Sequence, residues 1–127
     1  MQDWDQIQPA VEQVLRKQRF TNSGDHNGDP CFLSAYQIAV LVNKINPSFK
    51  GDLPIGGKGM GGDENRSFAQ QIAWFLSKDI NDNGSYSKFD RQFFSLDGLD
   101  IDSFKFNDGN VPSMNEFSMF RLKSFAT

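Results

Sequence analysis

Apolar residues along the chain fall into three stretches of helical spacing followed by a region that alternates. Ile7, Val11, Val14 and Leu15 recur three and four residues apart, which predicts an amphipathic helix from Asp5 to Gln18. Pro9 is expected in its first turn, where a missing N–H costs nothing. Arg16, Lys17 and Arg19 crowd the far end. Cations there complement the negative end of the helix dipole, and this outweighs a basic nucleic-acid patch.

The second stretch carries the clearest boundaries. Ser34 followed by Gln37 is a capping box, and Leu33 before it with Ile38 after it forms the matching hydrophobic staple. Ile38, Leu41, Val42 and Ile45 make the expected buried stripe, widened by Ala39 and Val40, so this helix is expected at the centre of the fold. Asn46-Pro47 ends it, because proline pushes its predecessor out of the helical region.

A third helix is expected from Asp63 or Asn65 to Lys78, with Phe68, Ile72, Phe75 and Leu76 in register and Trp74 beside them. Beyond it the period changes to two. Phe104 and Phe106 alternate with polar neighbours, Asp108-Gly109 is a turn signal, and Phe120 and Leu122 alternate again. A short helix capped within Ser113 to Glu116 is the alternative for the last segment. The expected fold is α+β: a three-helix core with a small C-terminal antiparallel sheet or hairpin, packed through phenylalanines in a single domain over residues 1–127.

Composition sharpens this picture in two places. Phenylalanine supplies 13 residues against two Trp and two Tyr, and the Phe concentrated from Phe89 to Phe125 require that the last third be folded. The formal charge of −3 argues against a nucleic-acid coat, since phosphate binding draws on clustered Lys and Arg. The Phe-rich third, with Lys105, Arg121 and Lys123 among its aromatics, could stack unpaired bases, but its surplus of Asp favours core packing instead. No apolar run approaches the roughly 20 residues of a membrane span. The acidic N-terminus is wrong for a targeting peptide, and a cytoplasmic protein is expected.

Two connections, Phe20 to Leu33 and Pro47 to Gly62, are long enough to be binding elements, and each leads to a helix start. The second contains IGGKGMGG, whose Gly57, Gly59 and Gly62 fit G-x-G-x-x-G without the preceding strand that a dinucleotide site needs. Unpaired N–H groups at two helix starts favour an anion. Lys58, Gly59, Arg66, Ser67 and His26 are therefore expected to converge on one cleft. The leading functional reading is a binding module that grips a small anionic ligand or a protein partner through these loops.

Two other chemistries compete. In DINDNGSYSKFD, Asp79, Asn81, Asn83 and Asp90 take positions one, three, five and twelve of a calcium loop, with Gly84 at six and Ser87 at nine. Asp90 is shorter than the usual Glu, no second such loop pairs with it, and an Asn-Gly turn after a helix explains the same residues. Calcium is thus the alternative ligand, and no other cofactor is expected. His26 and Cys31, the only residues of their types, would place an activated thiol near a helix start, although a cysteine followed by Phe32 and Leu33 also reads as a small buried hydrophobe. A cysteine-dependent enzyme is the third reading, and one His with one Cys is too few for a zinc cluster.

Overall fold

A computed structural model describes residues 1–21, 24–56, 67–99, 104–106, 109–111 and 116–123. Helix α1 spans Trp4–Lys17 and buries Ile7, Ala10, Val11, Val14 and Leu15. Because it begins at Trp4, Pro9 stands in the second turn rather than the first, and the Asp5 carbonyl loses the N–H that position 9 would have donated. Asp5 and Pro9 are both exposed, so water satisfies what the helix does not. The first turn is tied down from outside, where the Gln2 N–H donates to the Phe49 carbonyl at 2.9 Å.

Strand β1, Leu33–Ser34, runs directly into helix α2, Ala35–Ile45. Both halves of the capping box form: the Gln37 N–H donates to Ser34 Oγ at 3.2 Å, and the Ser34 N–H donates to Gln37 Oε1 at 2.8 Å. Leu33 and Ile38 are both buried, as a staple requires. The helix buries Ala35, Tyr36, Ile38, Ala39, Val40 and Val42 and packs against α1, the third helix and the sheet, which makes it central. Leu41 is only half-buried and Ile45 is exposed, since the buried face is completed by Ala35 and Tyr36 at the other end.

Helix α3 spans Phe68–Asn83, with Ser67 as its N-cap. It continues a full turn past Lys78, because Ile80 packs on the core and keeps the helix amphipathic. It stops at Gly84, whose φ of 54° is a conformation that only glycine adopts cheaply, and a 3₁₀ turn, Gly84–Tyr86, follows.

The remaining strands are β2 (Phe89–Ser95), β3 (Phe104–Phe106), β4 (Gly109–Val111) and β5 (Glu116–Leu122). β3 and β4 form an antiparallel pair with Phe106 opposite Gly109, where the turn signal stands. The last segment is a strand. β5 lies between β1 and β2, antiparallel to both, with Leu33 opposite Phe120 and Phe89 opposite Leu122. The sheet is therefore not confined to the C-terminal third, since β1 enters it from the start of α2. Phe89, Phe120 and Leu122 turn toward the helices and share one core with Phe68, Ile72 and Leu76. The class is α+β.

Candidate functional site

The described parts of the two long connections are tied to the rest of the chain through their own backbone. In the first, Arg19 bridges to Pro30, the Phe20 N–H donates to the Asp29 carbonyl at 2.8 Å, the Gly28 N–H to the Phe20 carbonyl at 2.7 Å, and the Cys31 N–H to the Gln18 carbonyl at 2.8 Å. Gly28 has a φ of 88°, which fits the turn that brings the chain back. His26 lies at the tip, with Nδ1 3.1 Å from Asp29 Oδ2 and both side chains largely in water. Its partner is Asp29, not the half-buried Cys31.

The second connection ends on α3. The Phe68 N–H donates to the Pro54 carbonyl at 2.7 Å, the Ala69 N–H to the Ile55 carbonyl at 2.9 Å, and the Gln70 N–H to Ser67 Oγ at 3.2 Å. These are the donors that an anion at this helix start would use, and the chain itself already satisfies them. Ser67 is 1% exposed, so its hydroxyl is a cap within the core. Gly56 lies close to Tyr36, and a Cβ there would come 2.9 Å from the ring. Lys58, Gly59 and Arg66 lie outside the described residues, and no hydrogen bond joins His26 to Ser67.

The candidate calcium residues occupy two elements. Asp79, Asn81 and Asn83 stand on the last turns of α3, where alternate positions point to opposite sides of the helix. Asp79 Oδ1 accepts the hydroxyl of the buried Ser87 at 2.6 Å, and Ser87 Oγ in turn accepts the Phe89 N–H at 3.2 Å. Asp90, on β2, takes Arg121 Nε at 3.1 Å. Lys123 holds its ammonium 3.4 Å from the Gly84 carbonyl and 3.3 Å from that of Ser85. A cation is thus already seated on the carbonyls of this turn. Among the described residues no three His, Cys, Asp or Glu side chains gather as metal ligands.

Among the described residues the open feature is β2. It is the longer of the two edge strands in the order β1-β5-β2. The Lys123 N–H donates to the Lys88 carbonyl at 2.8 Å, which makes Lys88 and Lys123 a hydrogen-bonded pair one step beyond the strand ends. Hydrogen-bonded and non-hydrogen-bonded pairs alternate in an antiparallel ladder, so Asp90, Gln92 and Phe94 bond to β5. Arg91, Phe93 and Ser95 then aim their N–H and C=O groups away from the sheet, as does the Phe89 carbonyl, while the Phe89 N–H is taken by Ser87 Oγ. β1 ends at Ser34, opposite Met119, so the outer half of the β2–β5 ribbon has only two strands.

Side chains confirm that this half is uncovered. Phe89 and Leu96 are buried in the core and anchor the strand at both ends, while Gln92 to Ser95 between them are exposed. Phe93 is 65% and Phe94 43% exposed. Neighbouring residues of a strand face opposite ways, so an aromatic ring stands on each side of the same free edge. The Arg91 guanidinium lies 5.6 Å from the centre of the Phe93 ring. Alternation searches miss this strand, because FDRQFFS has no single apolar face; three phenylalanines within seven residues are the signal that was there to find.

Comparison with protein-family models, curated proteins and solved structures finds no match to this chain. No helix among the described residues is long and apolar enough to cross a membrane.

Proposed function

We propose that this chain is a binding module that takes a protein partner as an extended segment along the free edge of β2. One observation carries the reading: an edge strand, anchored at both ends, presents outward-directed backbone groups between two exposed phenylalanines. Edge strands usually protect themselves with charge, proline, bulges or a cover, because unpaired N–H and C=O groups invite pairing. Here the exposed residues of β2 itself, Gln92 to Ser95, carry no charge, and the rings add apolar area to each face. In strand addition, main-chain hydrogen bonds supply affinity and the flanking side chains supply selectivity, which is what Phe93 and Phe94 offer. A protein partner fits the structure better than a small anion, since the donors at the start of α3 and the capping groups of α2 are satisfied internally.

Selection of displayed random peptides on the purified chain tests this. Recovered sequences should alternate apolar and polar residues and should protect the Arg91, Phe93 and Ser95 amides from hydrogen exchange. Their binding should be lost in Phe93→Pro, which removes an outward N–H and leaves the Gln92 and Phe94 bonds to β5 in place. Peptides that bind Phe93→Pro as tightly as wild type, or a selection that recovers none, would overturn the reading.

A further inference from the structure

We infer that the partner includes a second copy of this chain: two β2 edges pair antiparallel about a twofold axis through Gln92, giving a continuous six-stranded sheet. The inference rests on the edge-binding reading and adds the identity of the occupant.

The argument is one of self-complementarity. A twofold axis perpendicular to a sheet keeps side chains on their own face, so the axis must pass through a residue rather than between two, and four central registers, on Arg91, Gln92, Phe93 and Phe94, come into question. Centring on Phe94 pairs only Phe93 with Ser95 within the strand and leaves Arg91 beyond the partner strand's end. Centring on Arg91 sets two arginines opposite each other, and like charges directly opposed are destabilising. Centring on Phe93 stacks that ring on its copy and leaves Arg91 opposite Ser95. Centring on Gln92 sets Arg91 of each chain opposite Phe93 of the other, twice over. That is a pairing of cation with ring face, the same two groups that already meet at 5.6 Å within one chain.

The backbone agrees with this choice. Arg91 and Phe93 both direct their N–H and C=O groups to the free edge, so each Arg91–Phe93 pair across the axis is a hydrogen-bonded pair; beyond it the Phe89 carbonyl can accept from the Ser95 N–H, while the Phe89 N–H stays on Ser87 Oγ. Such an interface is isologous and closes on itself, which stops edge pairing from propagating into a fibre. Glutamine at the axis meets its own copy, and a side-chain amide is self-complementary, offering both donor and acceptor.

Sedimentation and crosslinking test the dimer. Wild type should pass from monomer to dimer between micromolar and millimolar concentration, and Arg91→Glu should remain monomeric at the top of that range with an unchanged circular dichroism spectrum. At the axis the two Gln92 residues form a non-hydrogen-bonded pair about 4.5 Å apart at Cα, within the reach of a disulfide. Gln92→Cys, in a chain also carrying Cys31→Ser, should therefore oxidise to a disulfide-linked dimer, and Asp97→Cys in the same background should not. A chain that sediments as a monomer throughout, or a dimer that survives Arg91→Glu and forms no link at position 92, would overturn the inference. A monomer that still selects edge-binding peptides overturns the dimer alone; a monomer that selects none overturns the edge reading with it.

Discussion

The Arg121 guanidinium lies 4.5 Å from the centre of the Phe32 ring while its Nε is 3.1 Å from Asp90. One side chain on the central strand thus touches the segment leading into β1 and also the edge strand β2. Arginine suits the place because its flat guanidinium can stack and donate at once, which a lysine ammonium does not.

Stacking at partly exposed sites contributes about 0.5–1 kcal/mol. A double-mutant cycle with Phe32→Leu and Arg121→Lys should give a coupling of that size, read from urea midpoints. Strict additivity would show that the ring and the guanidinium are neighbours without interacting.

Ser34→Ala should lower stability by about 0.5–2 kcal/mol with the fold unchanged, because it leaves the Gln37 N–H without its cap. Equilibrium urea unfolding measures this, and a midpoint equal to that of wild type would mean that the cap contributes nothing.

Gly56→Ala should cost about 1–3 kcal/mol, the range for overpacking a site whose neighbour cannot yield. The Cβ would meet the Tyr36 ring at 2.9 Å, and that ring is buried. Combining it with Tyr36→Leu should recover part of the loss, which thermal melting of the double variant checks.

Burial raises the Tyr36 hydroxyl above its usual pKa. The folded state then holds this proton where the unfolded chain has released it, so stability is intact below about pH 10 and falls as pH rises through the folded value. Tyr36→Phe should show a shallower alkaline loss of stability, measured by urea titration at several pH values. Parallel curves would remove Tyr36 from the account.

Asp79→Ala should destabilise the chain whether or not calcium is present, since it strands the hydroxyl of buried Ser87 at a cost of about 1–3 kcal/mol. Millimolar calcium should leave the melting temperature of wild type unchanged, because Lys123 occupies the turn carbonyls and Arg121 holds Asp90. A calcium-dependent rise in wild type that is absent from Asp79→Ala would establish the cation site instead.

Legibility in the sequence followed how local each signal was. The start of α2 could be read to the residue, because Ser34 and Gln37 cap each other within one turn. The burial of Ile7, Val11, Val14 and Leu15 followed from spacing alone. The end of α3 could not be read, since what holds it is Ser87 reaching back to Asp79 and Lys123 arriving from another strand. The same polar residues, Asp79 to Asp90, suggested a loop for an ion where the structure has a helix end and a strand. β2 was hidden for a different reason: its outer half has no buried face, so no period exists to detect. Its place at the edge depends on β5, far along the chain.

That arrangement also sets an order of events during synthesis. β5 joins β1 to β2 although it follows both in the chain, and Leu33 must wait for Phe120. Helices α1, α2 and α3 and both outer strands leave the ribosome before the strand that unites them. Until then β2 has two open edges rather than one, and its phenylalanines stand beside a core that still lacks Phe120 and Leu122. The newborn chain is therefore most prone to stick to its neighbours just before Glu116–Leu122 emerges, when a chaperone would serve it best.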